Sequence, residues 1–90
     1  MKLIIMKKLT LYQLETCPYC ITAREALDEK GIKYEVVNVP GPRPDRKEVI
    51  EISGQAEVPV LVVEEEGKKQ VIFHDEKIIE YINEHPELSK

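Results

Sequence analysis

Ninety residues, 42% hydrophobic and 33% charged, suffice for one modest core and exclude two. The net charge of −4 is spread over interleaved signs, so the chain lacks the basic stripe of a nucleic-acid-binding surface. Leu3 to Met6 is cut short by Lys7 and Lys8 before it reaches the about 7–15 apolar residues of a secretory signal, and no run approaches the about 20 of a membrane span. The expectation is therefore a cytoplasmic, monomeric protein with no membrane or nucleic-acid partner. It is read as a single domain over 1–90, with 1–7 as an N-terminal extension and Met6 as a second candidate start.

In chain order, Leu9-Thr10-Leu11-Tyr12-Gln13-Leu14 alternates and predicts a strand with Leu9, Leu11 and Gln13 on one face. Glu15-Thr16-Cys17-Pro18-Tyr19-Cys20 follows. From Tyr19 to Lys30 the spacing of Tyr19, Ala23, Ala26 and Leu27 predicts one helical face, stopped at Gly31. Lys33–Val39 predicts a second strand. Pro40-Gly41-Pro42-Arg43-Pro44 excludes regular structure, because three prolines remove donors and fix φ. Asp45, with Glu48 three residues on, predicts a capping box for a short helix ended by Gly54, with Val49, Ile50 and Ile52 as its apolar side.

Glu57–Glu64 is nearly continuous in apolar residues, as a strand covered on both faces requires, and Pro59 sits at its start, where proline is tolerated. A charged turn around Gly67 separates it at hairpin distance from Gln70–Phe73, which predicts an antiparallel pair. Asp75 is the expected cap of a last helix with Ile78, Ile79 and Ile82 inward, ending before Pro86. The order is β-α-β-α-β-β-α: an α/β fold with a four-stranded mixed sheet and three helices on both faces.

The chemistry is read from the two cysteines. In a reducing cytosol this spacing points to catalysis or metal binding rather than to a structural disulfide. Pro18 suits the first helical position, which makes Cys17 the N-cap. Its sulfur is expected to accept hydrogen bonds from the N–H groups of Tyr19 and Cys20 at the positive end of the helix dipole, favouring thiolate. Cys17 is then the nucleophile and Cys20, a turn inside, resolves. Lowering a thiol pKa from about 8.5 to about 6 raises its thiolate fraction roughly 30-fold at pH 7, while intrinsic nucleophilicity falls roughly 10- to 18-fold. The larger gain is in leaving: a low-pKa sulfur is expelled faster from a mixed disulfide. A closed zinc site wants four ligands, and His74 and His85 are too far apart in sequence to complete one with this pair. No metal is expected, and each histidine is read as a solvated surface residue.

Cys17-Pro18-Tyr19-Cys20 after the first strand, Val58-Pro59 before the third and Asp75-Glu76 opening the last helix together resemble a glutaredoxin, and more broadly the thioredoxin-fold superfamily. The resemblance runs from Lys8 to about Glu84. The N-terminal domain of glutathione S-transferases is also similar, especially from Asp75 to Tyr81-Ile82, although those enzymes carry a helical domain that this sequence does not supply. The resemblance implies a thioredoxin-like fold and a dithiol thiol–disulfide oxidoreductase acting on protein disulfides or glutathione mixed disulfides. It implies glutathione as cosubstrate, with no tightly bound cofactor.

It also implies a cis Val58–Pro59 bond, with the Val58 backbone pairing with a bound peptide or glutathione. Asp75 and Glu76 would receive the γ-glutamyl carboxylate at a helix N-terminus, Arg46 the glycyl carboxylate, and Tyr19 would belong to the same substrate surface. The plainer alternatives are a trans proline starting a strand, a capping residue at Asp75 and a solvated helix charge at Arg46. Two departures stand out. Leu14 occupies the position of a lysine that aids glutathione binding, and Phe73-His74 replaces a usual glycine pair, which implies altered glutathione recognition. Two other functions keep the fold: a disulfide reductase served by a reductase protein, and an iron–sulfur carrier dimer bridged through Cys17 and glutathione. The rigid Pro18 argues against the carrier.

Overall fold

Four strands lie in the order β2-β1-β3-β4, with β1 (Lys7–Gln13) paired on both sides. A computed structural model describes residues 7–65 and 67–88. The expected N-terminal extension thus lies outside the described residues, apart from Lys7, which already belongs to β1. Strand β2 (Glu35–Asn38) runs parallel to β1, as the β-α-β connection through α1 (Pro18–Glu29) demands. Strand β3 (Val60–Glu65) is antiparallel to β1, and β4 (Lys68–Phe73) is antiparallel to β3. The short helix α2 (Lys47–Ser53) follows β2, and α3 (Asp75–Glu84) follows β4. This is the thioredoxin-like order of elements read from the sequence.

Period-2 alternation divides the core in two. Leu9 and Leu11 of β1 join Leu61, Val63 and Ile72 beneath α1 and α3, whose Ala23, Leu27, Ile78, Tyr81 and Ile82 close that side. On the other face Tyr12, Val60 and Val62 pack with Val39 against Val49 of α2. Val60 to Val63 are all buried, as the continuous apolar run requires of a strand covered on both faces.

Several local expectations give way to tertiary packing. Helix α1 begins at Pro18, and its buried residues are Cys20, Ala23 and Leu27; Tyr19, expected inward, is 63% exposed. Cys20 is apolar enough as a thiol to take the inward place one position later. Asp45 does not cap α2: it ends a 3-10 turn (Arg43–Asp45), and Arg46 stands at the N-cap with no side-chain cap bond. The prolines at 42 and 44 shape that turn and delay the helix. Ile50 is exposed, so Val49 carries the inward side of α2 with half-buried Ile52. Asp75 is the first residue of α3 rather than its cap, a place taken by His74. Gly54 ends α2 in the left-handed conformation, φ 82°, as expected.

The register fixes where function can sit. Gln13 lies opposite Asn38, Tyr12 opposite Val60, and Val60 opposite Phe73. The segments after β1, after β2, before β3 and after β4 therefore meet at one end of the sheet, and they carry the cysteines, the proline-rich loop, Val58-Pro59 and His74.

Candidate active site

The loop from β1 to α1 is built so that Cys17 ends on the surface and Cys20 inside. Cys17 is the N-cap residue of α1, extended at φ −74° and ψ 123°, with Pro18 at the first helical position. This places its sulfur at the positive end of the helix dipole. The expected cap bonds from Tyr19 and Cys20 are not made: no side-chain cap hydrogen bond forms at Cys17. The loop is held instead by backbone, the Cys17 N–H donating to the Leu14 carbonyl at 3.3 Å. The Leu14 N–H donates to the Cys20 sulfur at 3.4 Å.

Both cysteines are free thiols, Cys17 half-buried and Cys20 fully buried. Burial pushes the Cys20 thiol up to about 11; the Leu14 N–H opposes this, the hydrogen bond to Cys17 and the charge of Cys17 add to it, and Arg24 opposes it. The pair is thus chemically asymmetric. Cys20 is held as a thiol hydrogen-bonded to its neighbour, while Cys17 opens onto the surface.

In front of Cys17 lies a groove of about 340 Å³ lined by Leu14, Cys17, Tyr19, Arg43, Arg46, Glu57, Val58 and His74. The structure so brings Cys17, Tyr19, Arg46 and Val58 together, out of three separate stretches of sequence. The Val58–Pro59 bond is cis, and Pro59 is fully buried behind the groove. Asp75 and Glu76 open the first turn of α3 but do not line the groove; His74, just before them, does.

Arg46 is 7% exposed and hydrogen-bonds three backbone carbonyls: Pro40 through Nε at 2.8 Å, Gly41 at 2.7 Å and Ala56 at 2.8 Å. The residue read as a carboxylate ligand is also the tie between the proline-rich loop and the segment leading to Val58. Arg43, Glu57 and His74 were not read as site residues. Arg43 is held toward the groove by the turn that the flanking prolines shape. The only sequence signal for it is a cation inside a stretch too rich in proline to be a helix. Among the described residues no cluster of three or more histidine, cysteine, aspartate or glutamate side chains is placed to hold a metal ion. No helix among them is long and apolar enough to cross a membrane.

Residues 9–67, from the middle of β1 to the hairpin turn, match the glutaredoxin family as a whole. The chain belongs to the glutaredoxin family. Its members are thiol–disulfide oxidoreductases, and Cys17 and Cys20 supply the two-cysteine centre. The chain is 34% identical to Glutaredoxin 3 of Escherichia coli K12 over 59 residues, 66% of this chain and 71% of that protein. It is 39% identical to mouse Prostaglandin E synthase 2 over 72 residues, 80% of this chain but 18% of that protein. Among solved structures it superposes on a trimeric glutathione transferase of Leishmania with a TM-score of 0.70 and 31% identity, covering 86% of this chain and 16% of the other. The glutaredoxin fold of this chain therefore also resembles one part of much longer proteins.

Proposed function

We propose that this protein reduces protein disulfides or glutathione mixed disulfides through the Cys17-Pro18-Tyr19-Cys20 dithiol, in the cytoplasm, with glutathione as cosubstrate. The observation that carries the reading is the asymmetry of the pair: Cys17 opens on a groove at the N-terminus of α1, and Cys20 stands buried behind it with its proton retained.

The reaction runs in two exchanges. The Cys17 thiolate attacks a sulfur of the substrate disulfide, and the bond between the two substrate sulfurs breaks. Cys20, once deprotonated, attacks the Cys17 sulfur of the mixed disulfide and expels the second substrate thiol. External thiol then returns the Cys17–Cys20 disulfide to the dithiol. In the groove, the backbone of Val58 pairs with the bound peptide or glutathione in a one-residue strand addition. Tyr19 flanks the thiol. The α3 N-terminus with Asp75 and Glu76 receives the γ-glutamyl end, and the positive charge at Arg46 favours the glycyl carboxylate. Iron and zinc have no part in this reading.

Leu14 favours one variant of it. An apolar side chain beside Cys17 gives a glutathione carboxylate no cation there and suits a protein surface better, as an electron-donating reductase protein would offer. The test is reduction of an insulin-type disulfide with either glutathione or a thioredoxin reductase as electron source. Turnover with glutathione that disappears in Cys17→Ser supports the proposal; turnover with the reductase alone moves it to the variant. Failure with both donors would sink it.

A further inference from the structure

One charged side chain that acts on Cys20 does not line the groove in front of Cys17. Helix α1 places Arg24 one turn beyond Cys20, on the same side of the helix. Its guanidinium donates to the Gln13 side-chain carbonyl at 2.5 Å, and the Gln13 amide donates to Asn38 at 2.8 Å. Gln13 is 2% exposed and is covalently joined to Leu14, whose N–H points at the Cys20 sulfur. The guanidinium of half-buried Arg24 is thus anchored to the end of β1 and is not part of the groove lining.

We propose that Arg24 is a positioning residue for the second half-reaction, holding a cation beside Cys20 while that sulfur closes the mixed disulfide on Cys17. The inference rests on the dithiol mechanism proposed above and adds to it a residue that acts on one of its two steps. In that step Cys20 gives its proton to solvent and attacks the Cys17 sulfur. The Cys17–Cys20 bond forms, and the bond from Cys17 to the substrate sulfur breaks with its electron pair leaving on that sulfur, which takes up a proton. The protein dithiol is oxidised and the substrate disulfide reduced. Burial resists the required thiolate; among the described residues the groups that oppose it are the Leu14 N–H and, more weakly, Arg24. The charged or titratable groups acting on Cys20 are Cys17 and Arg24, so no other ionic group among the described residues substitutes for the guanidinium.

The two steps separate cleanly with 5,5′-dithiobis(2-nitrobenzoate) as substrate, which releases one coloured thiol when Cys17 attacks and a second when Cys20 closes. For Arg24→Gln the first phase stays within about twofold of wild type. The Cys20 thiolate becomes scarcer and its higher intrinsic nucleophilicity offsets only about half of that on a logarithmic scale, so the second phase slows by more than the about twofold allowed to the first at pH 7. The midpoint of its pH profile moves upward, and Arg24→Lys restores most of both. An unchanged second phase, an equal slowing of both phases, or a loss that Arg24→Lys fails to repair would each overturn the proposal. Should Arg24→Gln not fold, Gln13→Leu releases the guanidinium from its anchor and is expected to slow the second phase selectively; no change there is equally fatal. A wild-type protein that releases only the first thiol refutes the dithiol mechanism itself, a result distinct from any of these.

Discussion

The N–H of Leu14 points at the sulfur of Cys20 across 3.4 Å, while the carbonyl of the same residue accepts the N–H of Cys17 at 3.3 Å. Leu14 thus touches both cysteines through its backbone alone, and its side chain is left to line the groove. The geometry of the dithiol and the chemistry of the groove are set by different parts of one residue. One can therefore be changed without the other.

The buried sulfur should be nearly inert. With its value pushed up to about 11, Cys20 holds thiolate at pH 7 about a hundredfold more scarcely than an ordinary thiol. Brief treatment of the native protein with iodoacetamide is expected to label Cys17 alone, and Cys20 only after denaturation. Mass spectrometry of the tryptic peptide reads this directly. Equal labelling of both positions at neutral pH would contradict the burial.

The same shift makes stability depend on pH in the alkaline range. The folded protein keeps the Cys20 proton where the unfolded chain has lost it, so the stabilisation is fully present below about 9 and declines as pH rises through about 11. Tyr34, raised to about 12 by burial and then by its hydrogen bond to Asp28, extends the decline upward. Urea midpoints should fall between these limits. Cys20→Ala, though less stable overall, should fall less steeply between pH 9 and 11; an identical slope would remove Cys20 as the source.

His74 carries backbone strain. Its φ of 70° with ψ 152° is a region that essentially only glycine occupies without penalty. The strain costs about 1–3 kcal/mol, and glycine gives back about 0.5–1 kcal/mol in unfolded-state entropy. His74→Gly should therefore stabilise the protein by about 1 kcal/mol, a rise in Tm of about 4–8 °C at this chain length. The N–H of residue 74 still reaches the Pro59 carbonyl, because that bond involves no side chain. A lower Tm would show that the imidazole contributes more than its backbone costs.

Elements whose causes are local are legible in the sequence. Strand alternation in β1, the continuous apolar run of β3 and the glycine stop at Gly54 all act over a few residues, and the observed elements follow them. The dithiol was legible for the same reason, since Pro18 fixes the helix start and the spacing fixes which sulfur turns inward. Capping was not. Asp45 and Asp75 have the right side chains, but prolines on either side of Arg43 and the positive φ of His74 place other residues at the helix starts. Nor could one strand at a time place Arg43 and Glu57 on the rim of the groove, which becomes visible once β1, β2, β3 and β4 are set in register. The three carbonyls bound by Arg46 belong to residues 40, 41 and 56, and nothing local announces that they converge.

Arg46 supplies a prediction that separates its two roles. Removing the guanidinium in Arg46→Met breaks three hydrogen bonds and leaves backbone carbonyls to find water, at about 2–4 kcal/mol. A guanidinium serving only as a substrate ligand would leave stability unchanged. Denaturant unfolding of the reduced protein without glutathione measures this, and a loss below about 0.5 kcal/mol would refute the tie between the two loops.

Leu14→Lys tests what the groove recognises. Because the backbone of residue 14 alone holds the cysteines, the substitution should leave the labelling asymmetry of Cys17 and Cys20 intact. The new ammonium stands in the groove beside Cys17, where a partly solvated ion pair with a glutathione carboxylate contributes about 0.2–1 kcal/mol. Exchange with a glutathione mixed disulfide should then accelerate up to about fivefold, and the gain should shrink as salt is raised toward 1 M, where the Debye length falls to about 3 Å. Reduction of an uncharged aromatic disulfide should change by less than twofold. A gain of equal size on both substrates would mean that the lysine acts on the Cys17 thiolate rather than on glutathione. No gain on either would show that glutathione lies elsewhere in the groove, away from residue 14.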